Sequence, residues 1–411
     1  MPRAKSRLAA CWGSQRPAGS NDQPSSVPSL FRTASVSSAR RWRMALLAMV
    51  VLALGPGTFL RTDTGLRSDP VKNIVINPVD LGPPPPGLLR LTGSWRMTSE
   101  HGWFGGFSSL VSGPGQTLIA ATDRGFLLGL DLAGDEPRAI PGSFRFVGVP
   151  GRGRREYVDM EAITRDPVTG ALWASFENDN LVMRFAPDGT RTVYAPPEMA
   201  KWDENSGPET MERLADGRFL ILSEGSEDSG MVDRPALLYP RDPLGRGKPL
   251  AFRFNCQAAY APVDATQLPD GRVLILMRQV RYTIPATFDA VIMVADPAAI
   301  RAGRHWRGEV IQRLEGSGFG ENFEGIAFVP DPSDSRKGSI WVVADDNFSI
   351  FQRSLLLRFA LGESGEALQR RAAARAAQDW QRALNGVQSP LVICPKIDAN
   401  GRPIDQPVAK P

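Results

Sequence analysis

The sequence predicts an all-β propeller. Three observations carry that prediction: pairs of short apolar strands that repeat along the chain, turn residues between them, and charged residues recurring at two fixed points of each repeat. The first repeat runs from Gly106-Phe107-Ser108-Ser109-Leu110 to Leu118-Ile119-Ala120-Ala121-Thr122-Asp123. The second runs from Asp159-Met160-Glu161-Ala162-Ile163 to Leu172-Trp173-Ala174-Ser175-Phe176-Glu177, and the third from Gly207-Pro208-Glu209-Thr210-Met211 to Phe219-Leu220-Ile221-Leu222-Ser223-Glu224. Val263-Asp264-Ala265-Thr266 leading to Val273 through Arg278, and Phe323-Glu324-Gly325-Ile326 leading to Ile340 through Asp345, complete the set of five.

Each repeat has the same internal order. A short apolar strand opens at an acidic residue, a turn such as Asp216-Gly217, Asp270-Gly271 or Val168-Thr169-Gly170 reverses the chain, and a second apolar strand ends in a charge. Asp-Gly between apolar runs is a strong hairpin signal, because both central residues of the favoured turn need positive φ. Two further strand-like stretches follow, as in Leu181 to Phe185 with Thr190 to Tyr194, or Ala290 to Val294 with Glu309 to Arg313. Four strands per ~50 residues is the period of a propeller blade. Leu88 to Met97 is available as a closing strand for the last blade, so five blades, or six with an irregular one, are expected over residues 86–361. Residues 362–411 follow as a short helix, read from the Ala/Arg/Gln-rich stretch Glu363 to Leu384, and an extended Pro-rich tail.

Composition agrees with this architecture. The chain has 411 residues, and its 40 Gly and 35 Pro imply many turns. Its formal net charge of +4 is unevenly placed. Residues 1–43 form a basic leader with eight Lys and Arg against the single acid Asp22, so the remainder of the chain is acidic overall. Basic residues do not cluster with aromatics on the folded part, which argues against nucleic-acid binding. Residues 44–60 read as a hydrophobic export signal or a short anchor, since Arg40-Arg41-Trp42-Arg43 precedes the wholly apolar run Ala45 to Leu54. That run falls short of the ~20 residues a spanning helix needs. A periplasmic or secreted monomer is therefore expected, touching a membrane only through this segment if it stays uncleaved. Cys256 and Cys394 would remain in the mature chain, as a disulfide or as two thiols.

In a propeller, first-strand starts and second-strand ends share one face. Strand starts supply Glu161, Glu209, Asp264 and Glu324; strand ends supply Asp123-Arg124, Glu177-Asn178, Glu224, Arg278 and Asp345-Asp346-Asn347. So many carboxylates at a narrow mouth raise each other's pKa values, and a hard cation such as Ca²⁺ relieves that repulsion. Glu161, Glu209, Asp264, Glu324 and Asp345 are the candidate metal ligands. Arg124, Arg278 and Arg353 are candidate counter-charges or holders of an anionic ligand. The competing reading is that these acids cap turns and bond neighbouring backbone amides.

The stretches Asp159 to Ile163, Asn205-Ser206-Gly207-Pro208-Glu209-Thr210-Met211, Leu268-Pro269-Asp270-Gly271-Arg272, Glu321-Asn322-Phe323-Glu324-Gly325-Ile326 and Ala344-Asp345-Asp346-Asn347-Phe348 resemble the phytase-like, "esterase-like activity of phytase" family of bacterial propeller proteins. The resemblance covers roughly Phe104 to Leu361. It implies a hydrolase of phosphate or carboxyl esters; the rim residues themselves fit metal-assisted hydrolysis of a small anionic ester, with Glu161, Glu324, Arg278 and Arg124 as catalytic candidates. A non-catalytic periplasmic propeller that binds a ligand or envelope partner over a structural calcium is the alternative. Other hydrolytic chemistry finds little support. His101 and His305 lie beside no candidate nucleophile, no Gly-x-Ser-x-Gly elbow occurs, and the cysteines lack zinc spacing. The loop Arg152-Gly153-Arg154-Arg155 reads as a solvated surface turn.

Overall fold

A computed structural model describes residues 38–53, 60–61, 65–69, 73–150, 156–157, 159–203, 205–226, 232–255 and 259–361. The chain divides into two units, Met1–Leu54 and Gly55–Pro411. In the first, a helix spans Ser38–Ala53 and leaves Leu46, Met49 and Val51 exposed. Among the described residues no helix is long and apolar enough to cross a membrane. The expected C-terminal helix, Cys256, Cys394 and the Arg152 to Arg155 loop lie outside the described residues.

The second unit is a ring of five blades. Each of the five predicted strand pairs forms the two inner strands of one blade. Blade 1 is built from Phe107–Ser112, Thr117–Thr122, Phe126–Asp131 and Arg138–Ala139; blade 2 from Met160–Arg165, Leu172–Phe176, Leu181–Phe185 and Arg191–Tyr194. Blade 3 comprises Pro208–Arg213, Phe219–Ser223, Asp233–Tyr239 and Leu250–Asn255, and blade 4 Ala261–Gln267, Val273–Arg281, Thr287–Ala295 and Glu309–Leu314. Blade 5 contributes Asn322–Pro330, Gly338–Asp345 and Leu355–Leu361, then takes Leu89–Ser99 from the start of the chain as its next strand. This resolves the blade count at five, closed by the N-terminal strand. Besides the short strands Arg145–Phe146, Val149–Pro150 and Glu156–Tyr157, two edge strands escaped the sequence reading. Ile74–Pro78 adds to the outer edge of blade 5, and His305–Arg307 adds to blade 3 in parallel.

The inner strands of successive blades pack side by side around the channel, and blade 5 packs against blade 1. Between blades, alternating strand residues pool into apolar clusters, such as that joining Leu276, Ile292, Ile326 and Val342. Gly325 lets blades 5 and 1 approach closely: a Cβ there would lie 2.8 Å from the backbone nitrogen of Leu110 in blade 1. At the seam of the ring, Trp95 of the closing strand stacks on Trp341 with centroids 5.6 Å apart, and Arg358 lies over both rings. The histidines are structural. His101 is buried against Phe126 and Phe144, and His305 Nε2 meets Asp233 Oδ2 at 2.9 Å.

One local device recurs in every blade. The pairing of the first two strands slips within the opening residues of the first strand, between Phe107 and Ser109, Met160 and Ile163, Pro208 and Thr210, Pro262 and Asp264, and Phe323 and Gly325. Such bulges re-aim the extra residue. The residues at the bulge are Ser108, Glu161, Glu209, Val263 and Glu324, so three of the five blades turn a glutamate there.

Candidate active site at the channel mouth

The bulge residues meet a second set at or just past the second strands' last pairs with the first: Asp123, Glu177, Glu224, Arg278 and Asp345. These ten positions carry seven carboxylates and one guanidinium. Of the second-strand residues expected at the mouth, Asp123, Glu177, Glu224, Arg278 and Asp345 belong to this set, while Arg124, Asn178, Asp346 and Asn347 follow them along the chain. Of the first-strand residues, Glu161, Glu209 and Glu324 belong to it and Asp264 does not.

Asp264 stands one residue past its bulge, where Val263 takes the equivalent place. It is completely buried, and both its oxygens are occupied. Oδ2 accepts from Ile326 N at 2.8 Å, Leu110 N at 3.1 Å and Ser109 Oγ at 3.1 Å, while Oδ1 accepts from Ala265 N at 2.9 Å. Ser109 Oγ in turn accepts from Ile163 N at 3.1 Å. One carboxylate thus ties blades 1, 4 and 5 together and reaches blade 2 through a hydroxyl. Burial pushes its pKa well up, and the four donors pull it back. The sequence pattern misplaces Asp264 because a one-residue bulge shift leaves the apolar periodicity of the strand unchanged.

The mouth carboxylates are differently situated. Asp159, Glu161 and Glu177 bring one oxygen each within 4.8 Å of one another, and so do Glu177, Glu209 and Glu224; Glu177 belongs to both groups. Burial raises the pKa of Glu161 and Glu209 well above the carboxylate range, and their acidic neighbours raise it further. Asp345 is pushed well up in the same way, by burial and then by Glu324, Asp123 and Asp346. Asp123 and Glu177 rise to about 7, burial again being the main cause.

The main relief comes from Arg278. Its Nη2 lies 3.2 Å from Glu324 Oε1 and 3.6 Å from Glu224 Oε1. Blade 4 therefore offers an apolar residue and a cation where blades 2, 3 and 5 offer two acids each. Arg124, exposed at the rim, sits 3.5 Å from Asp123 and over the Phe348 ring at 5.3 Å. Arg353 is committed to Glu321, at 2.7 Å, and does not join the group. Arg61, which the sequence reading passed over, bonds Asp346 at 3.0 Å and the Phe104 carbonyl at 2.7 Å. Nothing in its own neighbourhood of sequence signals that role.

The donor set suits a hard cation. Ca²⁺ takes six to eight oxygen ligands and favours carboxylates and amide carbonyls over nitrogen or sulfur. Asp123 Oδ1 of the carboxylate group, and the amide oxygens Asn180 Oδ1 and Asn322 Oδ1, are buried without a hydrogen-bond donor. Asn322 Nδ2 donates to Glu324 Oε1 at 2.6 Å, which leaves its free oxygen beside the same cluster. Orphaned buried oxygens among crowded carboxylates are what a cation site shows without its ion.

The fold and this mouth define the protein as a five-bladed propeller with an acid-lined channel opening, able to hold a metal ion. A family model described as phytase-like, esterase-like activity of phytase, matches residues 102–348, and the chain belongs to that family. The matched span includes all seven mouth carboxylates and Arg278. No curated protein matches the chain in sequence. Similar solved structures include a gluconolactonase from Xanthomonas campestris, 10% identical over 72% of this chain and 100% of that one, with a TM-score of 0.36. A catalytically inactive virginiamycin B lyase from Staphylococcus aureus, solved with quinupristin, is 11% identical over 70% and 99%, with a TM-score of 0.35. Hydrazine synthase from Kuenenia stuttgartiensis is 14% identical, with a TM-score of 0.32; the match covers 58% of this chain and 56% of that one.

Proposed function

We propose that this is an exported phytase-like hydrolase that uses Ca²⁺ at the channel mouth to cleave a small phosphoester or related anionic ester. The observation that carries the reading is the shared position of Glu177 between two carboxylate groups, with Arg278 as the inner cation. Glu161, Glu177, Glu209 and Glu224 are the residues that would hold the ion, with Glu324 and Asp345 adjoining. A bound Ca²⁺ would supply neutralisation of the ester's charge and activation of water. Arg278 orients the ester through its guanidinium donors, which match phosphate oxygens in pairs. Arg124 sits at the entrance and draws an anion towards it. Without an ion, burial raises Glu177 and Asp123 to about 7, and a bound cation would keep Glu177 ionised as its ligand.

The test measures bound calcium, calcium-dependent thermal shift and phosphomonoester hydrolysis on protein lacking residues 1–60. Stoichiometric calcium with turnover that chelator abolishes is the expected result. Turnover unchanged by chelator sinks the metal-assisted mechanism. Calcium without turnover turns the reading to the non-catalytic propeller with a structural ion. The pair Glu161→Gln with Glu324→Gln separates these further: retained folding with lost turnover belongs to an enzyme, and lost folding to a structural ion.

A further inference from the structure

Beside the mouth, between blades 3 and 4, opens a cavity of about 770 Å³ that combines polar side chains such as Lys201, Asp203, Ser206 and Gln279 with the aromatics Trp202 and Tyr282. Glu224 and Arg278 belong to both, so the cavity is continuous with the candidate active site. At its buried end lie Arg278 and Arg234, the latter 2% exposed. Arg234 donates to the Glu224 carbonyl and, at 2.9 Å, to the Tyr260 carbonyl, and the Nε of each arginine lacks a partner. At its open end lie Trp202 and Tyr282.

Tyr282 is 95% exposed and Ile284 is 98% exposed. They sit on the longest inner hairpin of the ring. The strands Val273–Arg281 and Thr287–Ala295 stay paired for three residue pairs beyond Arg278, out to Arg281 opposite Thr287. At ~3.3 Å per residue this carries the hairpin about 10 Å above the mouth. It is braced there. Asp289 holds both Arg281 and Gln279, and Thr283 Oγ1 lies 3.1 Å from Thr287 Oγ1. A braced projection ending in a solvated tyrosine beside an open cavity has no packing reason for its apolar tip, and exposed aromatics in that setting mark contact with a ligand.

We infer that this cavity is the subsite for the organic part of the substrate, and that it selects a planar, preferably aromatic group bearing polar substituents, joined to the anion held at Arg278. Trp202 and Tyr282 flank that group and Arg234 fixes the backbone of Glu224 at the junction. The inference rests on the anion-binding reading of the mouth, and it narrows the substrate class from anionic esters at large to aryl-like ones. A fully hydroxylated polyol phosphate would leave the two aromatic faces without a partner.

The experiment titrates calcium-loaded protein with phenylphosphonate and methylphosphonate by calorimetry, then repeats the pair with benzoate and acetate. The phenyl probe is expected to bind roughly tenfold more tightly than the methyl one, and Tyr282→Ala to erase most of that ratio while Tyr282→Phe keeps it. Equal affinity for the two phosphonates, or a ratio untouched by Tyr282→Ala and by Trp202→Ala, overturns the inference and leaves the hydrolase reading intact. An aromatic preference among the carboxylates without phosphonate binding upholds the subsite and removes the phosphoester reading instead. Circular dichroism of the Tyr282 variants, whose side chain is solvated, verifies that folding is unchanged.

Discussion

Two regions of the channel bury acid in opposite ways. At the waist, Asp264 has four protein donors for its two oxygens. At the mouth, seven carboxylates face one another across blades with Arg278 as their inner counter-charge. A buried carboxylate with a full set of amide donors holds a fold together. A group of them short of donors holds charge that only protons or a cation can cancel. Burial alone does not distinguish the two; the identity of the partners does.

The sharpest way to break this comparison is substitution at the waist. Asp264→Ala orphans three buried backbone N–H groups and the Ser109 hydroxyl, each costing about 1–3 kcal/mol, so a loss of at least roughly 4 kcal/mol is expected in urea unfolding. A loss under about 1 kcal/mol would show that Asp264 is not the staple. At the mouth the sign reverses. Glu209→Gln removes a charge from the repelling group, so the chelator-treated protein should melt roughly 2–4 °C higher than wild type, while its calcium-induced shift shrinks by more than half. A variant that melts lower in chelator would place Glu209 with Asp264 as a structural acid.

The pH dependence of calcium-free protein sharpens the same contrast. The folded-state pKa values of Asp123 and Glu177 are raised to about 7, above their ordinary 3.8 and 4.5. Their contribution to stability is therefore fully present below about pH 4 and is lost as pH rises through 7. Glu161 and Glu209, raised further, extend the loss to higher pH. The melting temperature in chelator should fall between pH 5 and 8, and calcium should restore it most at the alkaline end, releasing protons as it binds. A flat profile would contradict the crowded-carboxylate picture. The smallest effect is expected at the rim, where Arg124→Ala should change stability by less than about 1 kcal/mol, because its ion pair with Asp123 is half in solvent.

Much of this was legible in the sequence, and the exceptions have physical causes. The strand pairs were readable because apolar runs and Asp-Gly turns act locally. The acids after the second strands were readable because a charge ending an apolar run marks where burial stops. Asp264 was misassigned because the choice between mouth and waist depends on a single bulged residue, and bulges leave no residue signature of their own here. The pairing of His305–Arg307 with blade 3 was missed because it depends on contacts made only once the blade exists. Arg234 was missed for a similar reason: nothing around it in sequence distinguishes an arginine bonded to two carbonyls from one in solvent. The aromatic hairpin was hidden by length, since nine-residue strands look like any blade strand until the rim's position is known.

The closing strand Leu89–Ser99 also governs when the molecule can exist at all. Leu89 pairs with Leu361, so the last blade joins opposite ends of the domain. Such a long-range contact forms slowly, because the intervening chain must be ordered before the pairing rewards it. A chain emerging from a ribosome or threading through a membrane pore cannot complete its ring until the final strand is free. Until then the edges of the incomplete fifth blade stay unpaired, and the molecule remains in a form that can still be threaded, bound by a chaperone, or degraded.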